Sequence, residues 1–131
     1  MPSLPGINLF DGMFQGIGRV LDLRSIQHTI TASNIANADT PNYRAKEIPF
    51  DELLSEVMDR SMDGKDADPG QMVQDTIEER EAPPWSLDGN SVDEENEAMR
   101  LSTNTLMYNA VAGGVSRRLA ILRFAASDGK S

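Results

Sequence analysis

Few residues in this chain could do chemistry, and their spacing decides which chemistry is open to them. Among its 131 residues there is no cysteine and a single histidine, His28. Disulfides and thiolate metal sites are therefore excluded, and a histidine-based metal cluster cannot form within one chain. Asp88, Asn90 and Asp93 superficially suggest a calcium loop, but Val92 holds its fifth position and no glycine stands at the sixth. The acidic pairs Asp51/Glu52, Glu78/Glu79 and Glu94/Glu95 could be named as acid and base. Helix neighbours point about 100° apart, and no dry pocket is indicated that would separate their pKa values. His28 has no acid and serine nearby in sequence arranged for a triad. The sequence thus predicts no catalytic set, no metal site and no cofactor.

What remains is a pattern of helices and charge. The composition is 39% hydrophobic and only 5% aromatic, lean for a chain that must bury a compact core. Net charge is −9, which argues against a nucleic-acid binder, and it is unevenly spread. Residues 47–100 hold seventeen acids against Arg60, Lys65, Arg80 and Arg100, while both ends are mildly basic. No apolar run approaches the roughly 20 residues of a membrane span, and Met1 to Gly6 do not read as a cleaved signal.

Residues 1–8, with two prolines and a glycine, read as irregular. Residues 9–43 hold a long helix and its end. Phe10, Phe14, Ile17 and Leu21 recur at helical steps, and Leu23, Ile26, Ile30, Ser33 and Asn37 continue on a rotated face. Such a helix would be roughly 45 Å long, more than a core of this size could cover. Pro41 ends it. Gly12 and Gly16 are expected to make its start adaptable. Residues 44–92 form the acidic middle, with one short amphipathic helix around Phe50, Leu53, Leu54, Val57 and Met58 and a loop from Met62 to Gln71. Thr76 to Ser91 reads as an extended or irregular strap that Trp85 is expected to anchor.

Residues 93–131 hold a second long helix. Asp93 is its N-cap, and Ser91 and Glu94 are also spaced as a capping box. Ala98, Leu101, Thr105, Tyr108, Ala112, Val115, Leu119, Leu122 and Ala126 alternate steps of three and four, the heptad pattern of a coiled coil. Arg117, Arg118 and Arg123 fall in the final turns and Gly129 follows. The predicted fold is mainly α: two long terminal helices pairing as an antiparallel coiled coil, with a short helix and an extended or irregular acidic middle between them.

The end of the first helix reads Ala32-Ser33-Asn34-Ile35-Ala36-Asn37-Ala38-Asp39-Thr40-Pro41-Asn42-Tyr43. Its small residues let another backbone come close, and buried amides at Asn34 and Asn37 could fix register at a helix seam. A plain helix C-terminus with a proline stop is the structural alternative. This stretch closely resembles the N-terminal signature of bacterial flagellar rod and hook proteins. A second segment, Leu87-Asp88-Gly89-Asn90-Ser91-Val92-Asp93, followed by Glu97, Leu101, Asn104, Tyr108 and Ala110, resembles the C-terminal signature of the proximal-rod members. Together the two cover roughly residues 9–60 and 86–126.

The resemblance implies a structural subunit that polymerises helically into the hollow proximal rod, a drive shaft that transmits torque and leaves a channel for export. It implies contacts with itself, with other rod proteins, and with an adaptor subunit at the inner-membrane (MS) ring and export gate. It also implies a place in the rod within the periplasm, reached through type III export without a cleaved signal peptide. Subunit contacts are expected at Ser33, Asn34, Ile35, Ala36, Asn37, Asp39, Thr40, Pro41 and Tyr43. A C-terminal seam is expected through Asn90, Val92, Asp93, Leu101, Asn104, Tyr108, Val115, Leu119 and Leu122. Three positions depart from the signature: Asn42 replaces a usual glycine and should still turn left-handed, Glu94 replaces a usual apolar residue, and Gly113-Gly114 interrupts the helix. The competing reading is a soluble acidic coiled-coil adaptor that uses its middle as a recognition surface.

Overall fold

The structure, a computed structural model, describes residues 5–128, with side chains from 11 to 127. Helix α1 (Pro5–Ala36) opens on a proline, whose fixed φ and missing N–H suit the first helical turn. It therefore begins ahead of the Leu9 start that the periodicity indicates. Residues 1–4 and Gly129 lie outside the described residues. The last long helix, α4 (Glu94–Asp128), has 35 residues to the 32 of α1, about 50 Å each. The two run antiparallel, since Asn34 bonds Glu97 and Arg24 bonds Asn104.

Between them the chain makes more structure than its composition suggests. Strand β1 (Lys46–Glu47) precedes α2 (Phe50–Met62), whose Leu53, Val57 and Ser61 are buried at steps of four. The expected loop from Met62 to Gln71 holds over residues 63–68, and helix α3 (Pro69–Thr76) takes its last three residues. Asp68 caps it, its Oδ1 accepting from the N–H of Gly70 at 3.0 Å and of Gln71 at 3.4 Å, and Pro69 follows at the first helical position. Strand β2 (Glu78–Glu79) then pairs antiparallel with β1, Lys46 opposite Glu79 and Glu47 opposite Glu78. The rest of the strap is irregular as expected, but Trp85 does not anchor it within this chain. The ring is 81% exposed.

The apolar core lies under α1, where Leu23, Leu53 and Val73 meet from α1, α2 and α3. Ile26, Ile30, Ile48, Phe50, Leu54 and Met72 pack around them. The second stripe of α1 is thus spent on the middle of the chain, not on α4. Gly12 and Gly16 are part of the same contact. A Cβ on Gly12 would stand 2.8 Å from the Ser61 carbonyl oxygen, and one on Gly16 3.2 Å from Met58 Sδ. They allow α1 and α2 to approach closely, which corrects the expectation that they loosen the helix start.

The contact of α1 with α4 is mostly polar, and this shifts the expected seam. Glu97 and Asn104 are buried where the heptad reading put Ala98 and Thr105, which are exposed. Leu101, Val111, Ala112 and Val115 are half-buried. The reason is the opposing face: α1 offers Arg24, Thr31 and Asn34, and buried polar groups require polar partners. From Ser116 to Ser127 every side chain is exposed. The last turn of α4 carries no base, so Arg117, Arg118 and Arg123 stand too far back to meet the dipole end, whose effect fades within one turn.

Candidate functional site

The corner where α1 ends is held by asparagines, and each is there for its amide. Asn34 is 1% exposed. Its Nδ2 donates to the Lys46 carbonyl at 2.8 Å and to Glu97 Oε2 at 3.2 Å. Its Oδ1 accepts from the Lys46 N–H at 3.0 Å and from the Tyr43 hydroxyl at 3.2 Å. One side chain thus pairs with both backbone groups of Lys46, as a neighbouring strand would, and ties that strand to α4.

Asn90 completes the corner from the strap. Its Nδ2 points its two N–H groups at three carbonyls of the turn after α1, those of Asn37 at 2.8 Å, Ala38 at 2.9 Å and Thr40 at 2.8 Å. The turn's own N–H groups reach only some of these carbonyls, and a residue fifty or more positions away supplies the rest of the cap. Asn90 Oδ1 accepts from the Val92 N–H at 2.8 Å. The turn after Pro41 is left-handed at Asn42, φ 62°, as expected. The Asn42 N–H donates to the Asp88 carbonyl at 2.8 Å, and Gly89, itself at φ 73°, lies so close that a Cβ there would stand 2.5 Å from Asn42 Oδ1.

A charged cluster locks the strap and β1 onto α4. Glu97 is 1% exposed, and its carboxylate lies 3.8 Å from Arg80 and 3.9 Å from Arg100. Arg80 also donates to Glu47 at 2.7 Å. That bond holds the Arg80 guanidinium above its usual pKa, with Glu47, Glu97 and Asp93 adding to the effect against the lowering by burial. Further along, Asn104 Nδ2 donates to the Arg24 carbonyl at 2.7 Å and Asn104 Oδ1 accepts from Arg24 Nη1 at 3.3 Å.

The first motif is therefore divided. Asn34 and Tyr43 are turned into the chain, while Asn37 bonds back to the Ser33 carbonyl and accepts from Thr40. Ser33, Ala36, Asp39, Thr40 and Pro41 are exposed, and Ile35 is half-buried. In the second, Asn90 and Asn104 are internal bonds and Val92 is half-buried. Asp93 caps α4, accepting from the Asn96 N–H at 3.2 Å. The capping box does not form with it, because the Ser91 hydroxyl is buried and accepts from the Ala45 N–H at 2.7 Å.

Sequence reasoning gave no role to Arg24, Glu47, Arg80 or Arg100, whose partners are brought together only by the fold. Large apolar side chains remain uncovered on several sides of α4: Met99, Leu106, Met107, Tyr108, Leu119, Ile121, Leu122 and Phe124. Patches of this kind mark surfaces made to meet other chains. Among the described residues no group of three acids or histidines could hold a metal ion, and no helix is long and apolar enough to cross a membrane.

The sequence is similar to that of known proteins. The Flagella basal body rod protein family model matches residues 21–44, the half of α1 that carries Asn34 together with its turn. The chain is 32% identical to the flagellar basal body rod protein FlgB of Escherichia coli (strain K12), over 79% of this chain and 87% of that protein. The chain belongs to the FlgB family of flagellar basal body rod proteins. It is also similar to FlgB of Bacillus subtilis (strain 168), 27% identical over 95% of this chain and all of that protein. Against FlgB of Salmonella typhimurium the identity is 36% over 67% of this chain and 73% of the relative. The family match takes in Asn34 and Tyr43, while their partners Lys46 and Glu97, and Asn90, lie outside it.

Proposed function

We infer that this chain is a structural subunit of the flagellar basal-body rod, in which α1 and α4 form the load-carrying layer of a helical assembly. The observation that carries this reading is α4, which leaves large apolar side chains exposed along its length and from Ser116 to Ser127 buries none in its own chain. Open helical filaments need unlike patches to meet, so each subunit must present several contact faces. The exposed part of the first motif, Ser33, Ala36, Asp39, Thr40 and Pro41, is a second contact surface beside the half-exposed seam of Tyr108, Leu119 and Leu122. Asn34, Asn90 and Asn104 serve assembly indirectly, by fixing the corner and the angle between the helices.

The chain is not an enzyme in this account. Its partners are copies of itself, other rod proteins, and the adaptor subunit at the MS ring and export gate. It sits in the periplasmic part of the rod, having been exported without a cleaved signal peptide, and the assembled rod passes torque outward around an export channel. Complementation tests the reading. A null strain should lack rods and swimming, and this chain should restore both. Replacing Leu119 and Phe124 by serine should leave the fold intact and abolish rod formation; normal rods would refute the role given to α4.

A further inference from the structure

Among the described residues, one buried charge has no counter-ion. Arg24 is 8% exposed, lies between α1 and α4, and is absent from every ion pair among the described residues. Its Nη1 is spent on Asn104, its guanidinium lies 5.0 Å over the Phe50 ring, and its Nε has no acceptor. The other deeply buried ionisable side chain, Glu97, stands beside Arg80 and Arg100. Buried charges are ordinarily paired, because leaving one alone forfeits its hydration for nothing. Arg24 opens on a cavity of about 220 Å3 shared with Ser25, His28, Asn104, Thr105 and Tyr108. At about 30 Å3 per water there is room for a side-chain carboxylate and solvent. The wall is largely apolar, and no acid lines it.

We propose that the Arg24 cavity receives an aspartate or glutamate side chain from the acidic middle of a second copy of this chain, which supplies the missing counter-ion on assembly. The inference rests on the rod-subunit reading. The occupant follows from charge: residues 47–100 carry seventeen acids against four cations, so the chain itself presents an excess of exposed carboxylates. In a helical assembly an unlike patch of a neighbouring copy is what comes to rest on such a cavity. Guanidinium and carboxylate make strong, directional charge-assisted hydrogen bonds. An empty Arg24 in the free subunit and a filled one in the rod also make assembly favour the joined state.

Zero-length carbodiimide coupling of Arg24→Lys tests this, since it joins an amine to a carboxylate in direct contact. Two isotopically distinct preparations of the full-length variant are mixed, concentrated, coupled and mapped by peptide mass spectrometry. The expected result is a mixed-isotope link between position 24 and an acid within residues 47–100. Arg80→Lys is the control, and should couple to Glu47 within one chain. Links between copies at Lys46 or Lys65 with none at position 24 would overturn the proposal while leaving assembly standing. No link between copies anywhere would overturn the assembly reading and the proposal with it. A link confined to one isotope would place the counter-ion in the same chain and also overturn it. Thr105→Glu made in the Arg24→Lys chain gives an independent readout, because position 105 lines the cavity and buries nothing else. Its carboxylate should fill the cavity from within, raise the melting temperature of the free subunit, and cut links between copies about tenfold, the factor given by 1.4 kcal/mol. Links between copies at the level of Arg24→Lys alone would contradict the proposal.

Discussion

Asn34 and Asn37 look alike in the sequence, and the structure gives them opposite weights. Substituting Asn34→Leu removes a side chain that accepts from the Lys46 N–H and the Tyr43 hydroxyl and donates to the Lys46 carbonyl and Glu97. Each buried group left without a partner costs about 1–3 kcal/mol, and more where a charge is involved. Tyr43 is half-exposed and can turn to water, so the loss rests on the Lys46 backbone and Glu97. Together these come to about 3–5 kcal/mol, a large part of the roughly 5–15 kcal/mol stability of an ordinary domain. At roughly 3–5 °C per kcal/mol for this length the melting temperature should fall by about 10–20 °C. Asn37→Leu loses only a local bond to Ser33 and one from Thr40, and should cost about 1 kcal/mol or less. Thermal melts of the dilute subunit followed by circular dichroism measure both. A wild-type melt for Asn34→Leu would refute the claim that this amide closes the chain upon itself.

Other consequences follow from named contacts. Asn90→Ala should lower stability by about 2–4 kcal/mol in denaturant melts, since it removes the donor shared by the carbonyls of Asn37, Ala38 and Thr40 and the acceptor of the Val92 N–H. Gly12→Ala should destabilise by about 1–3 kcal/mol against the Ser61 carbonyl, whereas Gly18→Ala, with nothing near its Cβ, should stabilise by about 0.5–1 kcal/mol. Gly113→Leu should raise helicity, because its Cβ meets nothing within the chain; swimming is then the discriminating assay, with loss showing that a neighbour's helix passes there and wild-type motility rejecting it. Amide exchange in the dilute subunit should be slow from Val20 to Asn34 and fast from Ser116 to Ser127, where no side chain is buried.

Local signals were legible and distant ones were not. The proline stop after α1, the Asp93 cap, the left-handed Asn42 and the short helix at Phe50 each depend on neighbours within a few residues. Helix α3 also carried a local signal, Asp68 followed by Pro69, but an acidic, glycine-bearing stretch hid it. The seam of α4 was misplaced because heptad counting admits Ala98 and Thr105 as core and rejects Glu97. Only the partner helix makes Glu97 an inward residue, through Asn34. The asparagine motifs were found, yet their direction was not, since nothing in a sequence says whether an amide faces a second chain or its own. Asn90 reaching back to the end of α1 is the clearest case.

The central claim is that this chain builds the rod through the exposed faces of α4 while its asparagine corner stays internal. Electron cryomicroscopy of basal bodies from the complemented null strain tests it most directly. The account predicts density for this chain within the rod, with Leu119, Leu122 and Phe124 covered by neighbouring subunits and Asn34 still bonded to Lys46 and Glu97. Complete rods lacking the chain, or a rod in which α4 faces solvent and Asn34 bridges two subunits, would contradict it.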